Sequence, residues 1–120
     1  MSLADRLKET PAGVTLCPLE DIPDPGSRGF VLEIRQRMFH GFVVRRGSEV
    51  FGYVDQCPHM GLPLARTLDD YLVPSGTLIA CGWHGALFEI SDGRCVGGPC
   101  AGAELHPWPV AVRAGMVVTA

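Results

Sequence analysis

Two short segments of the sequence each place a cysteine close to a histidine. Cys57 and His59 are separated by one residue in "CPHMGLPLA", and Cys81 and His84 by two residues in "CGWHGALFEISDG". Thiolates and imidazoles are the usual protein ligands of zinc and of iron–sulfur clusters. Two Cys/His pairs, each next to glycines that permit tight backbone curvature, therefore indicate a metal centre rather than incidental core cysteines and surface histidines.

A structural zinc site is one centre that these four side chains could form, because two Cys and two His satisfy tetrahedral Zn²⁺. Zinc modules usually pair like ligands, as C-x₂₋₄-C followed by H-x₃₋₅-H, whereas each segment here mixes the two types. A chain of 120 residues also has less need of a zinc staple than a short finger. The mixed spacing favours an iron–sulfur cluster over zinc.

The pattern C-x-H-x21-C-x-x-H resembles that of the Rieske family, whose 2Fe-2S centre has two Cys on one iron and two His on the other. The segment "HGALFEISDGRCVGGP" is similar to the second half of bacterial ferredoxin-type members, and its "GGP" resembles the loop that closes over the cluster. The resemblance extends from about Thr15 to Thr119 and implies one 2Fe-2S cluster per chain. The ligands that it implies are Cys57 and Cys81 on the inner iron, and His59 and His84 on the outer iron.

The resemblance also implies a reduction potential at the low end of the Rieske range, which is roughly −150 to +300 mV. High-potential members carry a Ser and a Tyr that donate hydrogen bonds to the cluster, where this chain has Ala86 and Phe88. They also carry an extra Cys in each loop, where this chain has Leu62 and Trp83. We therefore expect a potential near the lower limit of that range.

Short strands are predicted on both sides of the two Cys/His pairs, which fall where strands run into loops. In residues 49–55 the alternation places Val50 and Val54 on one face and Phe51 and Tyr53 on the other. The turns around Gly47-Ser48, "SDGR" and "RAG" predict hairpins. The sequence therefore predicts an all-β protein. By resemblance it is a Rieske-like antiparallel β sandwich or barrel, with a small cluster-binding subdomain at about residues 56–100.

Helices are expected in two places only, the opening "SLADRLKE" and a short turn near "ARTLDDYL". The segment between the two Cys/His pairs is several residues longer than in ferredoxin-type relatives, and the surplus falls in the long 66–76 loop. We expect Asp69, Asp70 and Tyr71 at its tip. Two interpretations stay open for this loop, a tolerated surface insertion and a docking feature beside the cluster.

Composition excludes several classes of protein. We expect a single Rieske-type domain over residues 1–120. The net charge of −3 argues against a nucleic-acid partner, and no apolar run approaches the roughly 20 residues of a membrane span. The opening segment lacks the apolar core of a signal peptide, so we expect a cytoplasmic protein. Five cysteines in that compartment argue against a disulfide framework, and we expect Cys17, Cys95 and Cys100 to be free thiols, buried or half-buried. The alternative for Cys95 and Cys100 is a bridge between them, which the same compartment disfavours.

The function implied by the resemblance is that of a one-electron carrier between a flavin-dependent ferredoxin reductase and a terminal oxygenase of the aromatic-ring-hydroxylating type. We expect no catalysis by the chain itself. The two other histidines are interpreted as surface or turn residues, with His40 at the start of a strand and His106 in "LHPWP". We expect a monomer; the alternative is the small Rieske-like subunit of an assimilatory nitrite reductase complex. An apolar rim that would dock the partner consists of Met60, Leu62, Pro63, Trp83 and Pro99. For Met60 and Trp83 the alternative is that they shield the cluster from water.

Overall fold

The computed structural model describes residues 7–56, 69–81, 85–98 and 102–120. Strands dominate these residues, and every pairing between neighbouring strands is antiparallel. The all-β, antiparallel prediction is therefore confirmed. The elements are β1 (Thr15–Pro18), a 3-10 helix (Leu19–Asp21), β2 (Gly26–Ile34), β3 (Arg37–Arg46), β4 (Glu49–Val54), β5 (Ile79–Ala80), β6 (Leu87–Phe88), β7 (Cys95–Gly97), β8 (Val110–Arg113) and β9 (Met116–Thr119).

These strands form three sheets of three strands each. The long sheet has the order β2-β3-β4, the terminal sheet β1-β9-β8, and the small sheet β5-β6-β7. In the long sheet, β2 and β3 are joined by Arg35 and Gln36, whose φ angles are 53° and 67°. Two consecutive left-handed residues give the turn twist that suits a two-residue hairpin. The β3–β4 hairpin turns at Gly47 and Ser48, as the sequence predicts.

Strand β3 is buried on both faces and separates two hydrophobic cores. Alternate residues of a strand point to opposite faces, so Phe39 and Val43 enter one core, and Phe42 and Val44 enter the other. The first, here the tryptophan core, consists of Cys17, Ile22, Phe39, Val43, Val54, Trp108 and Val117. The second, here the tyrosine core, consists of Phe42, Val44, Tyr53, Tyr71, Ile79, Cys81, Ala86, Phe88, Ile90, Cys95 and Leu105.

The alternation predicted for β4 is confirmed by the same division. Val50 and Val54 pack into the tryptophan core, whereas Phe51 and Tyr53 pack into the tyrosine core.

Gly52, in the middle of β4, is required by a close contact with a neighbouring segment. A Cβ atom on Gly52 would lie 2.4 Å from the carbonyl oxygen of Trp108. Only glycine permits this close approach between β4 and the segment that carries the tryptophan.

Trp108 is the centre of the tryptophan core. Its ring lies 4.7 Å from that of Phe39 and 6.1 Å from that of Phe30, measured between centroids. Its indole Nε1–H donates a hydrogen bond to Thr10 Oγ1 at 2.8 Å, which satisfies the polar atom of a side chain that is otherwise buried in apolar surroundings. This packing fastens the segment before β8 onto the long sheet.

The helix prediction for the opening segment is wrong for the residues that the structure describes, and the described part of the second segment has a turn at Asp69 and no helix. In the opening segment, residues 7–9 are not helical, and Leu7 instead forms a bridge with Phe39 and packs onto the tryptophan core. In the second segment, residues 69–72 are not helical, because Leu72 pairs with Ile79 beside the small sheet. The remaining residues of both segments, 2–6 and 65–68, lie outside the described residues. No described helix has the length and apolar character needed to cross a membrane.

Candidate metal centre

Of the four predicted ligands, only Cys81 belongs to the described residues. Cys57, His59 and His84 lie outside them, as does the whole predicted apolar rim of Met60, Leu62, Pro63, Trp83 and Pro99. Their assignment therefore stays a prediction. What the structure does show is the frame from which the loops carrying these residues begin.

Cys81 is the first residue after β5, at the strand-to-loop junction predicted for it, and it is 3% exposed within the tyrosine core. Its N–H donates to the carbonyl oxygen of Ala86 at 2.8 Å, and its own carbonyl accepts from the N–H of Gly85 at 3.1 Å. Gly85 has a φ of 70°, a conformation that glycine adopts without strain. These two bonds hold together the chain on either side of residues 82–84, which lie outside the described residues and include His84.

The chain is also fixed where it approaches the first Cys/His pair. Val54 ends β4, and its N–H donates to the carbonyl oxygen of His106 at 2.9 Å. The N–H of Asp55 donates to the carbonyl oxygen of His40, again at 2.9 Å. The backbone is therefore anchored up to a point two residues before Cys57.

His40 and His106 are distant in sequence. Their carbonyl oxygens nevertheless accept hydrogen bonds from the N–H groups of two adjacent residues at the end of β4, Asp55 and Val54. His106 is exposed, as predicted. His40 is half-buried and lies within β3, so its assignment to the start of a strand is wrong. The strand begins earlier than the apolar run suggests, because its first residues pair fully with β2. No group of three or more His, Cys, Asp or Glu is gathered as a metal site within the part of the chain that the structure describes.

Tyr71 connects the starting points of both loops. Its hydroxyl donates a 2.8 Å hydrogen bond to Asp55 Oδ2, two residues before Cys57. Its backbone carbonyl accepts a 2.9 Å hydrogen bond from the N–H of Ala80, the residue before Cys81. One residue thus contacts the chain immediately ahead of each predicted cysteine ligand. The short span between these contacts fits two loops that converge on a single centre.

The placement of Tyr71 at the tip of an exposed loop is wrong, since its side chain is 1% exposed. The ring stacks on Phe42, with centroids 4.2 Å apart and an angle of 5° between the planes. Burial raises the pKa of the Tyr71 hydroxyl far above its ordinary value, and the neighbouring Asp55 carboxylate raises it further. The hydroxyl therefore stays protonated and donates to the carboxylate.

Asp69, in the described part of the 66–76 loop, is tied to the edge of the long sheet. The N–H of Gly29 donates to Asp69 Oδ1 at 2.7 Å, and the hydroxyl of Ser27 donates to the carbonyl oxygen of Asp69 at 2.7 Å. Ser27 Oγ in turn accepts from the N–H of Tyr71 at 3.3 Å. Asp69 and Asp70 are exposed, which both interpretations of the loop require, whereas Tyr71 is buried.

The start of the "GGP" segment lies against the second loop. Gly98 has a φ of 85°, and a Cβ atom placed on it would lie 2.7 Å from Ala86 Cα and 3.0 Å from the carbonyl oxygen of Gly85. The backbones of two loops therefore touch at a position that only glycine can occupy. Pro99 lies outside the described residues, so whether the segment closes over a cluster stays a prediction.

The side chains that follow the second loop carry no hydrogen-bond donors. Ala86 and Phe88 are completely buried in the tyrosine core, and neither side chain can donate a hydrogen bond to a cluster. Cys17 and Cys95 are buried thiols, as predicted, and Cys100 lies outside the described residues. Cys95 Sγ donates to the carbonyl oxygen of Gly97 at 3.2 Å, which supports β7 ahead of Gly98.

Comparisons with known proteins agree with the geometry. A family model described as Rieske [2Fe-2S] domain matches residues 13–113. No curated protein sequence matches the chain significantly. Among solved structures, one described as the complex of reduced oxygenase and oxidized ferredoxin in carbazole 1,9a-dioxygenase contains a chain that is 25% identical, with a TM-score of 0.70. That match covers 89% of this chain and 91% of the other.

Two further structures are ferredoxins matched over nearly their whole length. The Sphingomonas yanoikuyae B1 ferredoxin is 26% identical, with a TM-score of 0.64, and the match covers 88% of this chain and 95% of that one. The carbazole 1,9a-dioxygenase ferredoxin from Nocardioides aromaticivorans IC177 is 18% identical, with a TM-score of 0.70 and coverage of 92% and 98%. The last similarity shows the fold alone.

Proposed function

Because this chain belongs to the Rieske 2Fe-2S domain family, we propose that it is a one-electron carrier that passes electrons from a flavin-dependent ferredoxin reductase to a terminal oxygenase of the ring-hydroxylating type. The proposal is supported by the length of the chain that is matched as well as by its fold. Ferredoxins matched at 25–26% identity are covered over 91–95% of their length. One of these matches is to a structure in which a ferredoxin is bound to its oxygenase.

We propose that Cys57 and Cys81 bind the inner iron and that His59 and His84 bind the outer iron. The single observation that carries this assignment is the pair of hydrogen bonds by which Tyr71 joins the residues ahead of Cys57 and Cys81. Cys81 is buried, and its backbone is hydrogen-bonded to Gly85 and Ala86. A buried thiol on a backbone fixed in this way fits the inner ligand. A bound Rieske cluster supplies a centre that accepts and releases one electron.

The role of the chain's own residues is to hold the centre and limit its contact with water. Cys81, Ala86 and Phe88 are buried, whereas the predicted histidine ligands would present their ring edges to a partner. We place oxygen chemistry in the partner oxygenase and propose that the chain itself is not an enzyme. We also propose that it acts as a cytoplasmic monomer with a single cluster-binding unit at about residues 56–100.

The alternative, a small subunit of an assimilatory nitrite reductase, is not favoured, because the structures matched over nearly their whole length are a ferredoxin and a chain from the oxygenase–ferredoxin complex of carbazole 1,9a-dioxygenase. The two functions differ in how the protein associates. A carrier forms small, transient contacts, whereas a permanent subunit buries a larger apolar surface. Size-exclusion chromatography of the cluster-loaded protein should therefore give a monomer. Stoichiometric co-purification with a larger reductase would contradict the carrier assignment.

The decisive experiment is electron paramagnetic resonance of the dithionite-reduced protein, combined with analysis of iron, inorganic sulfide and zinc. We expect equal amounts of iron and sulfide, uptake of one electron per cluster, and an average g value below that of all-thiolate clusters, since imidazole ligates one iron. Stoichiometric zinc, or an all-thiolate spectrum, would refute both the cofactor and the function.

A further inference from the structure

We propose that Tyr71 is a positioning residue for the cluster, and that the 66–76 loop serves to hold this residue between the starting points of both ligand loops. The inference rests on the proposed function, because it assumes that Cys57 and Cys81 bind one centre. It assigns a role to a segment that the sequence alone suggests is a surface insertion. The role is structural support of the ligands rather than contact with the partner.

The geometry of Tyr71 is the first reason. Its hydroxyl holds Asp55 at 2.8 Å, and its carbonyl oxygen holds the N–H of Ala80 at 2.9 Å. The first contact precedes Cys57 by two residues and the second precedes Cys81 by one. The hydroxyl contact is buried, where a hydrogen bond to a carboxylate is stronger than one between neutral groups. A shift of Tyr71 would therefore move both loops together.

The rigidity of Tyr71 itself is the second reason. Its ring is stacked on Phe42 of β3, and its N–H donates to Ser27 of β2. Asp69, two residues earlier, accepts from the backbone of Gly29 in the same strand. The residue is thus fixed to the long sheet from three directions. Support from such fixed elements keeps ligands in the geometry that a metal centre requires.

Loss of the Tyr71 hydroxyl should therefore change the spectrum and potential of the cluster more than it changes the stability of the fold. Without it, the ring can still stack on Phe42 and the carbonyl can still accept from Ala80. The Asp55 carboxylate would lose a donor, and the chain ahead of Cys57 would be held less firmly. The ligand directions on the inner iron would then change, and with them the spectrum of the reduced centre.

The test compares Tyr71→Phe with Tyr53→Phe in the cluster-loaded protein. Tyr53 is the matched control, because its hydroxyl is also buried and also donates a hydrogen bond, in this case to the carbonyl oxygen of Ile90. Ile90 comes after β6, at the end of that strand that lies away from Cys81. For Tyr71→Phe we expect shifted g values and a changed potential. We also expect bleaching by an iron chelator to be about tenfold faster, equivalent to about 1.4 kcal/mol in activation free energy. Tyr53→Phe should match the wild type in all three readouts.

Asp55→Asn provides a second test, since its amide oxygen can still accept from Tyr71 but as a neutral group. If this bond is responsible, Tyr71→Phe should accelerate bleaching less when combined with Asp55→Asn than in the wild type. An equal effect in both backgrounds would overturn the proposal, as would identical g values and bleaching rates in Tyr71→Phe and Tyr53→Phe. Should Tyr71→Phe fail to fold, a shift in Asp55→Asn supports the proposal and an unchanged spectrum overturns it.

These outcomes are distinct from failure of the proposed function. A wild-type protein without a Rieske signal would refute the function before any variant is compared. A normal wild-type signal that Tyr71→Phe leaves unaltered would refute only the positioning role.

Discussion

The two cores of the molecule are built in different ways, although they share strand β3. The tryptophan core lies under strands of up to ten residues and is filled by apolar side chains around Trp108. The tyrosine core lies beside β5 and β6, which have two residues each, and it contains two buried tyrosines that donate hydrogen bonds to other segments. Long strands can be specified by their hydrophobic pattern alone. Segments as short as β5 and β6 need specific polar contacts to fix their positions.

Because the two cores are built differently, substitutions in them should affect different properties, either the stability of the protein or the cluster. Substitutions in the tryptophan core should lower the stability of the whole protein and leave the properties of the cluster unchanged. Substitutions of tyrosine-core residues that contact the ligand loops should change the cluster while the long and terminal sheets remain folded. Each of the following predictions tests that division.

The largest effect is expected from a comparison of two buried cysteines, one in each core. Cys81→Ala should abolish the cluster, because it removes a proposed ligand to the inner iron. Cys17→Ala should retain the full iron content and visible spectrum, since Cys17 is 4% exposed in the tryptophan core and serves as a small apolar side chain. Iron and sulfide analysis of both variants checks this. Loss of the cluster in Cys17→Ala would break the division.

Removal of the central aromatic ring should give the largest loss of stability. Trp108→Ala is expected to cost about 3–5 kcal/mol, as is usual for a large aromatic residue replaced in a core. In a domain of this size that corresponds to a fall in the thermal midpoint of more than about 10 °C. Circular dichroism of the cluster-loaded protein measures the midpoint. The g values should stay those of the wild type, and a shift in them would show that the two cores are coupled through β3.

Gly98 tests the contact between two loops, with Gly102 as the control. Both have positive φ angles, 85° and 90°, so alanine is strained at either position. Only at Gly98 would the added Cβ meet a neighbour, at 2.7 Å from Ala86 Cα, whereas nothing lies within 4 Å of that position on Gly102. Gly98→Ala should therefore accelerate bleaching by a chelator several-fold more than Gly102→Ala. Equal rates would mean that backbone strain alone matters.

Because the Ala86 side chain carries no hydrogen-bond donor, introducing a donor at this position should change the reduction potential. Ala86→Ser introduces a hydroxyl in the position where high-potential relatives carry one, and it should raise the reduction potential by on the order of 40 mV, equivalent to about 1 kcal/mol of hydrogen bonding to the reduced cluster. Ala111→Ser in β8 of the terminal sheet is the control and should leave the potential unchanged. Protein-film voltammetry compares them. An equal shift in both variants would contradict a local effect.

The same contrast explains how much the sequence could predict. The alternation of β4 and the turn at Gly47-Ser48 could be predicted, because long strands carry a periodic pattern and their turns use characteristic residues. The burial of Tyr71 could not, since "LDDYLVPSG" has no periodicity and its contact with Asp55 spans 16 residues. The one available signal was that Tyr71 is followed directly by the apolar residues Leu72 and Val73. For the candidate site, spacing predicts the ligands, and only the fold shows which residue joins the chain ahead of Cys57 and Cys81.

The smallest effect concerns alkaline pH and the second buried tyrosine. Burial raises the pKa of the Tyr53 hydroxyl to about 12, and the Asp92 carboxylate contributes to the rise. An unfolded tyrosine ionises at about pH 10, so between about pH 10 and 12 the folded state retains a proton that the unfolded state loses, and stability falls as the pH rises. The difference in thermal midpoint between the wild type and Tyr53→Phe should therefore be constant below about pH 10 and should shift against the wild type above it. Tyr71 is present in both proteins, so its own raised pKa cancels in this difference. A difference that stays constant up to about pH 11.5 would show that the Tyr53 hydroxyl ionises as easily in the folded protein as in water, and that this part of the tyrosine core is open to solvent.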